Sequence, residues 1–582
     1  MESTVKPIYP SRDTQKHDNI DQSHDSQQKP SYPTRASNRT KWYILAVTTA
    51  IAIFWFTNSN PISLFTKCHK SGGVSSLDWT TLAPGTVHWE QCQGVQPNSS
   101  VPTDYFNSSV GVTKVALSRW KASRGPRGPG GPGKSFVVYA GPSLQAVTGY
   151  DYDVVGFDPR GIGETEPAVK CFPDGYGKFA KNTILDRSFD DFPNASEPQA
   201  RERLLLQQYE AEALYQTQFE MCERTMGDKL KYMGTTTVVR DIDFITTVLD
   251  GSEASLQVSV SLLSLSSKLL SLLEKPYYEW YQTWMKFSWN AYEFFFSECS
   301  KAGPPSCALA HEKGEDPTVI RGRVEAFFAS LYHHPLPVPD ANPPSILTEG
   351  RAKIPPFEGM ATPTEWPSLA RILNDAMNGN ATELLDASRI LASDLGRSGV
   401  SCNDNIAPRN YTAEDVVDHI LYNLKNVSPF ASTIVTTEPD AGCAYWPFSL
   451  TPSDRFTGPF NNTLSNRILI LSNLMDPVTP MTSGEYVKSL LEDSAVLALR
   501  KGPGHCSSSL PSRCIANITR AYFNDGTLPN NLQLCDYDGS IFPHTTEVHE
   551  QKFAAYSDED TELLEHIHLI DKHVKAHRRI RS

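Results

Sequence analysis

The sequence predicts an α/β fold, a mostly parallel sheet flanked by helices and interrupted by a helical lid. Three observations carry this expectation. Tyr152–Pro167 and Arg467–Pro480 each hold a short apolar, β-branched run that ends in a polar loop, the pattern of a strand buried on both faces. Helical periodicity over Glu197–Gly227 and Thr237–Leu249 alternates with the strand patterns, as in doubly wound folds. Aromatic-rich helical stretches and Pro-rich loops then intervene from Pro276 to about Pro439, after which strand, helix and strand resume. The 582 residues are 39% hydrophobic and 20% charged, which excludes a largely disordered, collagenous or many-times membrane-spanning chain. A net charge of −13 argues against a nucleic-acid-binding surface.

In chain order, residues 1–41 are poor in aliphatics and read as a disordered cytosolic tail. Trp42–Phe56 is uncharged with aromatics at both ends. At 1.5 Å per residue it reaches only about 22 Å, so a span of roughly 30 Å needs Thr57–Asn60 as well, giving a signal anchor over 42–60. The bland alternative is a buried core helix. Arg35, Arg39 and Lys41 precede the run and Lys67 and Lys70 follow it, a slight positive-inside bias. All 11 cysteines follow the run, as do sequons at Asn98, Asn107, Asn194, Asn380, Asn410, Asn426, Asn461 and Asn517. Both features suit a lumenal or extracellular domain on a single-pass membrane protein. An odd cysteine count leaves one thiol free or paired between chains. Cys299 with Cys307, and Cys506 with Cys514, are the expected local bridges. With no C-x-x-C pair, and with His566, His568, His573 and His577 beside basic residues, neither metal nor cofactor is expected.

Residues 61–275 form the first part of the core. VHWEQCQGV and VGVTKVALSRW suggest an antiparallel hairpin, and RGPRGPGGPGKS a Gly/Pro-rich turn. Tyr152–Pro167 delivers Asp158-Pro159-Arg160-Gly161 at the C-terminal edge of its strand, where open α/β sheets place ligands. The lid occupies 276–440, and its aromatics serve mainly as helix–helix core. Residues 441–549 complete the core, with strands over Arg467–Pro480 and Ser494–Arg500 and a helix over Ser483–Leu491. Residues 550–582 form a polar tail, a solvated helix with a basic end.

The chemistry sits in that last core segment. Asp476 lies four residues past ILILS, and His505 five residues past the next strand. A carboxylate and then a histidine on loops after successive late strands is the chain order of acid and base in serine hydrolases built on such sheets. The histidine takes a serine proton and returns it to the leaving group; the carboxylate fixes its tautomer. Gly504 allows close approach beside it.

GGPG (Gly130–Gly133), FDPRGIG (Phe157–Gly163), YMGTTTVVRDIDFI (Tyr232–Ile245), LMDPVTP (Leu474–Pro480) and GHCSSSLPSRC (Gly504–Cys514) together resemble the tripeptidyl-aminopeptidase-type α/β-hydrolases, especially their fungal members, over about residues 80–545. The resemblance implies an α/β-hydrolase fold with a helical lid and a TAP-like C-terminal region, and a serine exopeptidase or related esterase. It makes Asp476 and His505 the triad acid and base. Gly131 and Gly133 belong to an oxyanion turn that supplies a backbone N–H, and Asp158 and Arg160 brace the neighbouring loop.

One departure outweighs these matches. The family's G-x-S-x-G nucleophile elbow is absent. Ser252–Lys275, a Ser/Leu run, stands where it belongs; Ser259 and Ser261 are the candidate stand-in nucleophiles there, neither with flanking glycines, and a plain surface or turn serine is the alternative reading of each. The strand before the oxyanion turn is also missing near Arg124. Three expectations follow: a membrane-anchored serine hydrolase acting on peptide or ester substrates, an inactive relative retained as a binding module, or a chain altered by misread exon boundaries over 124–136 and 251–276. An exopeptidase also needs an acid for the substrate's α-amine, for which Glu279, Glu293 and Glu298 are candidates.

Overall fold

The computed structural model describes residues 99–120, 133–175, 179, 197–250, 277–389, 395–404, 412–432, 442–448, 461, 463–543 and 557–581, all within the unit Lys70–Ser582. The tail, the 42–60 anchor, the turn at 124–132 and the Ser/Leu run lie outside them. Among the described residues no helix is long and apolar enough to cross a membrane.

The first layer is built from β1 (Ser99–Pro102), β2 (Val112–Val115), β3 (Leu117–Trp120), α1 (Gly133–Thr148) and β4 (Val154–Phe157). β1 pairs with β2, and β3 with β4, both antiparallel. VGVTKVALSRW yields two strands, β2 and β3, rather than one arm of a hairpin with VHWEQCQGV, which lies outside the described residues; the partner of β2 is Ser99–Pro102. The Val154–Phe157 run is a fully buried strand that runs antiparallel to its neighbour, not parallel as expected. The residue pattern reports cover on both faces and says nothing of direction. One face meets Gly133 and Val137 of α1, and Phe157 packs with Val101, Val115, Leu117 and Ile245.

Helices α2 (Ala200–Met226) and α3 (Thr235–Asp250) follow close to the expected bounds. The lid segment supplies α4 (Tyr277–Ala302), α5 (Pro317–His333), α6 (Glu349–Gly359), α7 (Trp366–Met377), α8 (Thr382–Ala387), α9 (Gly396–Asp404) and α10 (Ala413–Asn426). Their starts follow local chemistry. Asp316 caps α5, with Pro317 in its first turn, and Thr412 and Asp415 form a reciprocal capping box on α10. The Pro-rich stretch before α6 is not only loop: β5 (Leu336–Val338) and β6 (Ser345–Leu347) make an antiparallel hairpin. The lid aromatics are core, as their density suggests: Tyr292, Phe295, Phe296, Trp366 and Phe430 are buried in one cluster.

The remaining core comprises β7 (Ile468–Met475), α11 (Met481–Leu491), β8 (Ala495–Pro503), α12 (Arg513–Asp525), β9 (Gln533–Cys535) and α13 (Asp558–Arg581). β7, β8 and β9 form a parallel sheet in that order. Among the described residues parallel pairing is confined to these three strands, so the single, mostly parallel sheet expected from sequence is instead several small sheets. The C-terminal segment corrects another expectation. It is helical but not solvated throughout: Leu563, Leu564, Ile567 and Ile570 pack on Val147 of α1 and Ala516 of α12. These apolar residues recur at helical spacing among charges, and each buried side chain is worth about 1.5–3 kcal/mol.

Disulfides join Cys171–Cys222, Cys299–Cys307, Cys402–Cys443 and Cys514–Cys535. The Cys299–Cys307 bridge is the one expected. The Cys506–Cys514 bridge is not formed; Cys514, in the first turn of α12, pairs across to β9, and Cys506 stays free.

Candidate active site

The parallel pair β7–β8 brings two distant loops together. Its register runs from Ile468 opposite Ala495 to Met475 opposite Pro503, with an irregularity between Asn473 and Met475. Asp476 is therefore the first residue beyond β7, and His505 lies two beyond β8. Both side chains are buried, and His505 Nδ1 lies 3.1 and 3.2 Å from the two Asp476 carboxylate oxygens.

The sequence around Asp476 explains its rigidity. In DPVTP the carboxylate turns back on its own chain: Oδ1 accepts from the N–H groups of Val478 and Thr479, both at 2.8 Å. Oδ2 accepts from the Thr479 hydroxyl at 2.9 Å and from Cys506 N–H at 3.3 Å. Burial alone pushes the Asp476 carboxyl up, but His505 and these donors outweigh it and hold the pKa below its usual value. Burial likewise pulls His505 down, while the Cys506 sulfur and the Asp476 carboxylate overcome it and raise the imidazole to about 10. The pair favours imidazolium–carboxylate, the charge state that a general base reaches after taking a proton.

A surrounding layer fixes the histidine. Its N–H donates to Ala361 O at 2.9 Å, tying the loop to the segment between α6 and α7. Gly504 adopts φ +104°, and a Cβ there would stand 2.4 Å from Ser509 Oγ and 2.7 Å from Pro363 Cδ, so the backbone reaches this position only as glycine. Asn473 Nδ2 donates to the carbonyls of Gly504 and Cys506 at 2.7 and 2.8 Å. Arg500, fully buried within β8, donates to Pro503 O at 2.8 Å and Ser509 Oγ at 2.9 Å. Sequence reasoning missed Asn473, Thr479, Arg500 and Cys506. A legible signal existed for two of them: an Asn and an Arg inside otherwise apolar strand runs, where a polar side chain needs a reason.

The other expected site residues fall elsewhere. Gly133 opens α1 against the backbone of β4, where a Cβ would meet Phe157 N at 2.4 Å. Gly131 and Ser259 lie outside the described residues. Asp158 and Arg160 do brace their loop. Asp158 accepts from the N–H groups of Lys134 and Glu164, at 3.0 and 2.9 Å. Arg160 grips Asp241 through Nε and Nη2 at 2.7 and 2.8 Å, and Tyr105 donates to the same carboxylate at 2.9 Å. Two candidates for binding a substrate amine are engaged in ion pairs, Glu293 with Arg321 at 2.9 Å and Glu298 with Lys301 at 2.6 Å. The side chain of Glu279 lies outside the described residues. Of the sequon asparagines, Asn107, Asn380, Asn426, Asn461 and Asn517 are exposed; Asn98, Asn194 and Asn410 lie outside the described residues.

The chain is similar to Carboxylesterase B of Mycobacterium tuberculosis, in strains CDC 1551 / Oshkosh and ATCC 25618 / H37Rv, at 25% identity over 494 residues, 75% of this chain and 85% of the relative. A shorter similarity, 24% over 121 residues, 16% of this chain and 24% of the relative, links it to the protein YuaR of Escherichia coli (strain K12). Residues 428–535, which contain both Asp476 and His505, match the family described as TAP-like protein.

Proposed function

We propose that this protein is a hydrolase of the α/β-hydrolase type in which Asp476 and His505 perform the acid–base part of acyl transfer on a peptide or ester substrate. The observation that carries this reading is the buried carboxylate–imidazole pair, at 3.1 Å, on loops after two adjacent parallel strands. In that role the neutral form of His505, the minor form while its pKa stands near 10, takes the proton of the attacking hydroxyl and hands it to the leaving group. Asp476 keeps Nδ1 engaged so that the opposite ring nitrogen faces the reaction, and stabilises the imidazolium. The relatives named Carboxylesterase B favour an ester, and the resemblance to tripeptidyl aminopeptidases favours a peptide with a free amine. Trp42–Asn60 serves as a membrane anchor in this reading, with the hydrolase domain lumenal or extracellular and glycosylated at its exposed sequons.

The nucleophile distinguishes this reading from a second one, a relative that binds ligand without turnover, which the lack of any G-x-S-x-G supports. Labelling of the full chain by a fluorophosphonate, together with hydrolysis of nitrophenyl esters and peptide nitroanilides, is the test. Labelling lost in His505→Gln supports the enzyme. A folded chain that neither labels nor turns over any of these substrates refutes it.

A further inference from the structure

We infer that the C-terminal helix α13 sets the loop that carries His505, with Asp571 as a positioning residue that acts through Thr364 and Arg500. This helix lies beyond residues 428–535, the stretch that matches the TAP-like family. Its buried residues Leu563, Leu564, Ile567 and Ile570 recur at helical spacing, and Asp571 falls on the same face, four residues after Ile567 and seven after Leu564. Asp571 is only 4% exposed. A carboxylate on the apolar stripe of a helix costs free energy unless partners in the protein hold it, and its partners here point toward the histidine.

Two routes lead from Asp571 to the histidine loop. The first is a hydrogen bond: Thr364 Oγ1 donates to Asp571 Oδ2 at 3.1 Å. Thr364 belongs to the turn Pro363–Glu365 between α6 and α7, and this segment walls the loop. Ala361 O accepts from His505 N–H at 2.9 Å, and the Pro363 ring closes on Gly504, where a Cβ would stand 2.7 Å from Cδ. The second route is electrostatic. Burial pulls the Arg500 guanidinium down to about 10, while Asp476, Asp571, Tyr537 and Cys506 favour its charge. Arg500 in turn donates to Pro503 O and Ser509 Oγ, one before and one after His505 in the chain. The helix α13 also lies against Ser507–Ser509, the turn that carries this hydroxyl.

Control of the base from a distant part of the chain is the consequence. The loop is held through its own amides: Gly504 N–H donates to Met475 O at 3.3 Å, Cys506 N–H to Asp476 Oδ2 at 3.3 Å and Ser509 N–H to Cys506 O at 3.1 Å. Without the Asp571 carboxylate the Pro363–Glu365 turn loses an anchor and Arg500 loses a counter-charge. The loop then opens more often, and a less compensated guanidinium disfavours a proton on His505; both effects lower the His505 pKa. Around the loop the titratable and charged groups are Cys506 and Asp476 beside the imidazole, and Arg500 with Asp571 and Tyr537 behind it. The inference rests on the hydrolase reading for the role of His505, but its test reads the loop directly, so a chain without turnover still decides it.

The test is hydrogen–deuterium exchange of the full chain, read by mass spectrometry at two places: the amides of residues 504–509, and the imidazole C2–H of His505, whose exchange rate against pH gives the His505 pKa. In Asp571→Ala the loop amides are expected to exchange about ten-fold faster while those of Ala495–Arg500 in β8 keep the wild-type rate. The His505 pKa is expected to fall from about 10 toward the ordinary histidine value of about 6.5. Thr364→Val removes only the donor and nearly keeps the side-chain volume; it is expected to show both changes at smaller size, and it decides the matter if Asp571→Ala does not fold. Loop amides that keep the wild-type rate, a rise shared equally by β8, or an unchanged His505 pKa in the folded variant overturns the inference. Absence of fluorophosphonate labelling in the wild-type chain counts against the hydrolase reading alone and leaves these outcomes unaltered.

Discussion

Gly504→Ala isolates the steric logic of the histidine loop. The glycine holds φ +104°, a conformation that costs an L-residue about 1–2 kcal/mol. The new methyl would also stand 2.4 Å from Ser509 Oγ and 2.7 and 2.8 Å from two ring carbons of Pro363. Ser509 cannot simply turn away, because its hydroxyl accepts from buried Arg500 Nη2 at 2.9 Å. Leaving that donor unpaired costs about 1–3 kcal/mol. The sum is about 2–5 kcal/mol. A control is built into the chain: Gly526, at φ +76° after α12, has nothing within 4 Å of the place a methyl would occupy, so Gly526→Ala bears the conformational cost alone. Urea midpoints of both variants, converted with the wild-type slope, give the comparison. If Gly504→Ala destabilises no more than Gly526→Ala, the close-packing argument for the loop is wrong.

Three further outcomes follow from named contacts. Asp241→Leu strands the Arg160 guanidinium in a fully buried position and is expected to cost about 3–5 kcal/mol, with at least half recovered by adding Arg160→Met; denaturant unfolding of the single and double variants checks this. Removing the Cys171–Cys222 bridge by a double alanine substitution frees a loop of 51 residues and is expected to lower stability by about 4 kcal/mol, read as a urea-midpoint shift. Because folding raises the His505 pKa toward about 10, its contribution to stability is complete below about pH 6.5 and fades as pH climbs toward 10. The stability gap between wild type and His505→Gln should therefore narrow from pH 6 to pH 9.5. Asp476, with its pKa lowered, contributes in the opposite sense, above about pH 4, and loses its contribution as acid protonates it. A gap that does not change between pH 6 and 9.5 contradicts the pairing.

The late strands and their loops were readable because the signal is local. ILILS and SAVLALR are apolar runs of strand length, and Asp476 and His505 follow them at loop distance, so the sequence order already places an acid and a base at neighbouring sheet ends. The helical character of the lid was readable for the same reason, from its aromatic-rich helical stretches, whereas the bounds of its helices and caps such as Thr412 with Asp415 came from the structure. Strand direction was not. Val154–Phe157 is apolar at every position because α1 covers one face and the β1–β3 cluster the other, and such a pattern is shared by parallel and antiparallel strands alike. Partner choice among cysteines was equally hidden: Cys514 is near Cys506 in sequence, yet the helical turn carries it to Cys535 on β9.

Composition and spacing by themselves determined an acidic, globular α/β chain with a helical insertion, and named the carboxylate and histidine worth watching. They also fixed one deficit, the lack of any glycine-flanked serine elbow. Tertiary structure alone decided that Asp476 and His505 meet, that Arg500, Asn473 and Ala361 hold the loop that joins them, that Cys506 remains a free thiol beside the imidazole, and that the C-terminal helix belongs to the core. The physical reason is range. Periodicity, capping and chain order act over a few residues, whereas a buried charge, a disulfide partner or a docked helix is settled by which distant segments compete for the same interior volume and the same hydrogen bonds.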